Sequence, residues 1–163
     1  MPSASAGTVD DRFSIRLARA EDLASLLEIE RDSPTAAHWQ ELDYRKAISQ
    51  SERLVLVAAR DSRVLGFLVA SVATEEWELE NIAVAAPARR RGVGRGLMQA
   101  LIVRARRAKA VEIRQEIRAS NAIAQQLGQS VGFVEEGRRR KYYRDPAEDA
   151  LLFKYLVEKP EEP

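Results

Sequence analysis

A chain of 163 residues, 45% hydrophobic and 31% charged, has the length and composition of one soluble domain with its own core. Its net charge of +1 provides no overall field to draw nucleic acid or a membrane surface. With no cysteine and a single histidine, His38, it excludes disulfides, thiolate nucleophiles and multi-histidine metal centres.

Residues 1–11 are small and polar, lack the basic and apolar stretches of an export signal, and are expected to form a disordered leader of a cytoplasmic protein. Residues 13–19 alternate, Phe13, Ile15 and Leu17 against Ser14, Arg16 and Ala18, which predicts a first strand. Over 20–31, Leu23, Leu26, Leu27 and Glu30 fall on a helical repeat, with Glu21 and Asp22 in the first turn, where the helix dipole favours acids. Ser33-Pro34 breaks that helix, and a loop through Trp39 leads to a weaker helix over 41–50. Strands over 54–60 and 64–74 flank a tight turn at Asp61-Ser62, and a strand over 77–84 stops before Pro87. The apolar runs here are strand-sized and too short to span a bilayer. A helix over 92–108, a strand over 111–118 and a helix from Asn121 to Ser130, with Ser120 as its N-cap, come next. Gly132 ends that helix. Strands over 133–141 and 149–157, separated by Arg144-Asp145-Pro146, precede a polar, flexible tail at 159–163. The expectation is one α+β domain over 12–158, in the order β-α-α-β-β-β-α-β-α-β-β.

The chain is organised around residues 81–97. The short apolar run Asn81-Ile82-Ala83-Val84 is followed by Arg89, Arg90 and Arg91, then by Gly92, Gly94 and Gly96 at alternate positions, then by Leu97, Met98, Leu101 and Ile102 at helical spacing. A strand thus feeds a glycine-rich turn that opens a helix. Glycines let backbone N–H groups approach an anion, and the helix N-terminus adds partial positive charge, so the stretch reads as a pyrophosphate cradle. A P-loop is excluded because no Lys-Ser/Thr follows the glycines, and the dinucleotide fingerprint because the spacing is Gly-x-Gly-x-Gly.

Arg89-x-x-Gly92-x-Gly94 resembles the acyl-CoA-binding signature, Gln/Arg-x-x-Gly-x-Gly/Ala, of the GNAT superfamily of N-acyltransferases. Asn81-Ile82-Ala83-Val84, Arg118-Ala119-Ser120-Asn121-Ala122, Gly132-Phe133, and Lys141-Tyr142-Tyr143 followed by Glu148-Asp149-Ala150 resemble the corresponding blocks of RimI-type ribosomal-protein N-terminal alanine acetyltransferases. The resemblance covers roughly 13–157 and is weakest before Leu54. It implies a single-domain GNAT fold, a mixed and mostly antiparallel twisted sheet flanked by helices, with a splay between the two central strands. Acetyl-CoA would be the co-substrate, with no metal. Ile82, Ala83 and Val84 would line the pantetheine arm. Arg89, Arg91, Gly92, Val93, Gly94, Arg95 and Gly96 would receive the diphosphate, and Asn121 would contact the arm from the other side or cap its helix.

Acyl transfer to an amine requires a deprotonated amine and a proton for the departing thiolate. An α-amine has a reference pKa of about 7.7–8.0, so one carboxylate suffices as base. Three compete. Glu116 matches the base position of RimI-type enzymes, Glu78 that of histone-acetylating relatives, and Glu80 shares the Glu78 side of its strand by alternation. The tyrosine that the family places after the leucine of the Asn-initiated helix is replaced here by Gly128, which cannot donate a proton. Trp39, Tyr142 and Tyr143 would wall the acceptor site. The basic groups Arg138 to Lys141 and Arg104, Arg106, Arg107 and Lys109 read as solvated faces, given interleaved acids and a near-zero net charge. The resemblance therefore implies N-acetylation of a protein or peptide N-terminal α-amine. The alternatives are a small-molecule amine acetyltransferase, or a CoA-binding domain impaired by Gly128.

Overall fold

The computed structural model describes residues 12–158, and the predicted leader at 1–11 and tail at 159–163 lie outside them. Strands β1 (Ser14–Leu17), β2 (Arg53–Arg60), β3 (Arg63–Ser71), β4 (Glu76–Val84), β5 (Glu112–Arg118), β6 (Val134–Arg144) and β7 (Ala147–Leu156) form one sheet in the order β1-β2-β3-β4-β5-β7-β6. Neighbours are antiparallel except β4 and β5, which run parallel. This is the predicted element order. The 13–19 strand is shorter than its alternation suggests, and the 64–74 strand stops at Ser71. The final pair is longer, reaching to a two-residue turn at Asp145-Pro146.

Helices α1 (Leu23–Arg31, entered through a 3-10 turn at Ala20–Asp22) and α2 (Glu41–Ser49) cover one face of the sheet, and α3 (Val93–Arg107) and α4 (Ala122–Ser130) cover the other. Strand β2 serves both cores, sending Val55 and Val57 to α1 and α2 and Leu56 and Ala58 to α3. That explains its unbroken apolar run. Helix α3 buries Val93, Leu97, Leu101 and Ala105, one stripe at four-residue spacing, and ends on Arg104, Arg106 and Arg107, which complement its dipole. The Asp22 carboxylate accepts two hydrogen bonds from Arg16, at 2.7 and 2.9 Å, and one from Arg19 N–H, at 2.7 Å, fixing the exit from β1. Among the described residues, no helix is long and apolar enough to cross a membrane.

The N-cap of α4 is Asn121, whose Oδ1 accepts from Ala124 N–H at 3.1 Å. Ser120, expected in that role, instead donates its hydroxyl to Glu148 Oε1 at 2.9 Å.

Candidate active site

Parallel pairing of β4 and β5 runs only from Glu76 opposite Glu112 to Leu79 opposite Gln115. Past that vertex the two strands part. On its other side β4 carries a bulge: Ala70 faces Leu79 and Val69 faces Asn81, so Glu80 is the extra residue. The bulge turns Asn81 and Ala83 toward α1 and α2, and Ile82 and Val84 toward α3. Ala85 N–H donates to Leu65 O at 2.8 Å. Because alternate residues of an antiparallel ladder direct their peptide groups oppositely, those of Ile82 and Val84 face the gap. Val84 O already accepts from Arg89 Nε at 3.1 Å. Ala83, grouped with them in the sequence, turns its backbone to β3 and its side chain into the core.

After β4 a 3-10 turn at Ala86–Ala88 leads to Gly92, whose φ of +82° lies in the left-handed region that glycine tolerates best. A Cβ built on Gly92 meets nothing within 4 Å, so the bend is open. Helix α3 starts at Val93 without a side-chain cap. Val93, Gly94 and Arg95 carry the leading N–H groups that a helix leaves unpaired. Two residues expected to meet the diphosphate are committed elsewhere. The Gly96 N–H donates to Gly92 O at 2.9 Å, and a Cβ on Gly96 would lie 2.9 Å from the Phe13 ring. Arg89 Nη2 reaches Asp32 O at 3.3 Å and Ser33 Oγ at 3.4 Å, bracing the bend against the end of α1. Arg91 lines an open groove between the bend, α1 and the β2–β3 turn, and Arg95 is exposed.

On the opposite face of the sheet the three candidate glutamates share one surface. Glu80, at the bulge, is driven upward in pKa by burial, against the lowering influence of Arg53. Arg53 Nε stands 2.6 Å from Glu80 Oε1, an ion-pair distance with no donor hydrogen aligned on that oxygen. Arg53 also lines a small cavity with Trp39. Glu78 is exposed, and its charge acts on both Glu80 and Tyr142. Glu116, on the parted end of β5, raises the pKa of the Tyr142 phenol. Arg139 Nη2 lies 3.7 Å from Glu116.

The tyrosines arrive from the β6–β7 hairpin by way of a bulge. Arg139 pairs with Ala150 and Tyr143 with Glu148, so the stretch between them on β6 has only Asp149 opposite. Asp149 closes that bulge, accepting from Lys141 N–H at 2.9 Å and Arg138 Nη1 at 3.0 Å. The Arg118 guanidinium lies 4.1 Å over the Tyr143 ring, which meets Tyr142 edge-on at 5.2 Å. Sequence reasoning missed Arg139, Arg118 and the buried Tyr44 as parts of this surface. One sign was available: Glu30 sits on the apolar stripe of α1, and a carboxylate there requires a buried donor.

A sheet parted beside an uncapped, glycine-opened helix, with carboxylates gathered on its other face, is the layout of an N-acyltransferase. The profile of the acetyltransferase (GNAT) family matches residues 22–133, and the chain belongs to that family. It is 36% identical over 142 residues to the [ribosomal protein bS18]-alanine N-acetyltransferase of Salmonella typhimurium, covering 85% of this chain and 94% of that one. The crystal structure of the ribosomal-protein-S18-alanine N-acetyltransferase from Escherichia coli superposes with a TM-score of 0.81 at 29% identity, over 93% of this chain and 97% of that one. The structure of yncA from Salmonella typhimurium with its cofactor acetyl-CoA shares the fold, with a TM-score of 0.77 at 23% identity over 93% and 97% of the two chains.

Proposed function

We propose that the protein transfers acetyl from acetyl-CoA to the α-amine of a protein N-terminus beginning with alanine, in the cytoplasm, by direct attack in a ternary complex. The bend fits an acyl-CoA diphosphate because its glycine leaves the approach open and its helix brings unpaired N–H groups there. Gly92, Val93, Gly94 and Arg95 hold the diphosphate. Ile82 and the Val84 N–H pair with the arm as an added strand would, and Asn121, its Oδ1 spent on the cap, offers its Nδ2. Arg91 meets the phosphates from the groove side.

Glu116 is the base in this reading. It lies past the vertex, beside the gap, with side-chain exposure of 25%, and the Arg139 guanidinium stands 3.7 Å from it. Glu80, tied to Arg53, and exposed Glu78 shape the electrostatics of the acceptor entrance instead. Trp39, Tyr142 and Tyr143 form its walls. The observation that carries the assignment is the position of Glu116 directly past the last β4–β5 pair, where the strands part, with Arg139 Nη2 3.7 Å away. Kinship with bS18-alanine N-acetyltransferases favours a protein N-terminus over a small amine.

The test is thiol release from acetyl-CoA with an alanine-starting peptide, its N-terminally blocked form, and a panel of free amines. Turnover confined to the free peptide N-terminus is expected. Turnover with free amines alone overturns the acceptor assignment.

A further inference from the structure

The residue before Glu116 has no role in the chemistry above. Gln115 is 7% exposed, and its Oε1 is buried without a hydrogen-bond partner. Such an oxygen in an apolar setting is destabilising unless a donor reaches it. The oxygen points at α4: it lies 3.7 Å from a Cβ built on Gly128, where the next neighbours are Phe133 carbons at 3.5 and 3.9 Å. All are ordinary contact distances, so the glycine leaves a notch with room for a methyl-sized group directly against an unpaired acceptor.

Its place in the fold gives this meaning. Gln115 forms the last β4–β5 pair, opposite Leu79, so it stands at the vertex of the parted strands. Successive strand residues project to opposite faces. Glu116 therefore faces the acceptor side and Gln115 the side of α3 and α4, along which an arm anchored at the bend runs toward the vertex. A base on one side of the thioester carbonyl and a polar group on the other are what addition of an amine and departure of a thiolate require.

We infer that Gln115 is a positioning residue for the leaving group, holding a water molecule in the Gly128 notch. This rests on the acetyltransferase reading above. The water donates one hydrogen to Gln115 Oε1 and the other to the sulfur. As the new C–N bond forms and the C–S bond breaks, the C–S electron pair passes to sulfur. The thiolate leaves held by the hydrogen bond from that water, and it is protonated through solvent by the proton that the amine gives up to Glu116. The products are amide and thiol, with no other reactant.

The test compares the wild type with Gln115→Met, an isostere without the carboxamide, with Gln115→Leu, and with Gln115→Met/Gly128→Tyr. Both single variants are expected to lower kcat by about 10- to 100-fold, the lower range for a proton-transfer contribution, with KM for acetyl-CoA within about threefold. Their thermal midpoints should not fall, since an unpaired carbonyl leaves the core. A phenol at position 128 should restore most of the rate in the double variant, which a merely structural glutamine does not explain. Independently of turnover, the thiol of bound CoA, titrated by thiolate absorbance, should ionise at lower pH in the wild type than in Gln115→Met. Wild-type kcat in both single variants, or a bound thiol that titrates identically, overturns the proposal. CoA binding with no transfer to any acceptor defeats the acetyltransferase reading yet leaves the thiol titration to decide on Gln115. Absence of CoA binding overturns both.

Discussion

Asn81 Nδ2 donates to the Tyr44 hydroxyl at 2.8 Å, in the core beside the point where β4 leaves β5. Tyr44 in turn donates to Glu30 Oε1 at 2.6 Å, and the same oxygen accepts from Trp39 N–H at 2.6 Å. Asn81 Oδ1 accepts from Ala37 N–H at 3.2 Å. The loop between α1 and α2, which carries Trp39, is thus suspended from β4. Burial and the Glu30 carboxylate raise the Tyr44 pKa, so its proton stays in this network.

Tyr44→Phe removes the central hydroxyl and leaves Glu30 and Asn81 each short of a buried partner. It should cost about 1–3 kcal/mol in denaturant unfolding. Because the loop loses its anchor while the bend is untouched, KM for the acceptor should rise with little change in CoA affinity, as read by steady-state kinetics beside calorimetry.

Glu116→Gln keeps the shape of the site but removes the proposed base. A fall in kcat of about 10²–10⁴-fold is expected, with CoA affinity within a few-fold. Tyr142→Phe removes the phenol on which the carboxylate acts without neutralising the carboxylate, so a smaller loss, shared between kcat and acceptor KM, should follow. If Glu116→Gln retains wild-type kcat while Glu80→Gln does not, the base belongs at the bulge.

The two glycines at the start of α3 should separate binding from packing. Gly92→Ala has room for its methyl group but forces an L-residue to φ +82°, at a cost of about 1 kcal/mol and with displaced N–H groups. Weaker CoA binding is the expected outcome. Gly96→Ala presses on Phe13, a half-buried ring that can tilt, so a stability loss of about 1 kcal/mol with CoA affinity retained should be seen by thermal unfolding and calorimetry.

The Arg16 guanidinium and Arg19 N–H hold Asp22 below its ordinary pKa, against the raising effect of burial. The native state therefore binds fewer protons there than the unfolded chain. The stabilisation is present above the ordinary aspartate range and is lost as pH falls through the lowered native value. Asp22→Asn should be less stable than the wild type by about 1–3 kcal/mol at neutral pH, the range for hydrogen bonds to a buried charge. The difference should shrink in acid, as followed by denaturant melts across pH.

Local chemistry made most of the fold legible. The order of elements followed from alternation and helical spacing, and the Asp61-Ser62 turn from its residues. The glycine bend announced itself because only a few ligands need N–H groups without side chains. What the chain alone could not reveal were meetings between distant residues. Nothing local distinguishes Arg139 and Tyr142, which reach Glu116, from neighbours that reach solvent. The β4 bulge that gives Glu80 and Asn81 the same face depends on the register with β3, and the Asn121 cap on which of two adjacent polar residues the turn selects. Arg89 and Gly96 were expected at the diphosphate, yet the Arg89 side chain donates to Val84 O and Asp32 O and the Gly96 N–H to Gly92 O.

The most direct measurement is a crystal structure with a bisubstrate analogue, CoA joined through an acetyl bridge to the nitrogen of an alanine-starting peptide. The diphosphate should lie on the N–H groups of Val93 to Arg95, the arm along Ile82 and Val84, and the alanine nitrogen within hydrogen-bond reach of Glu116, directly or through one water. An analogue seated away from the β4–β5 gap, or an alanine nitrogen on the side of the sheet away from Glu116, would contradict it.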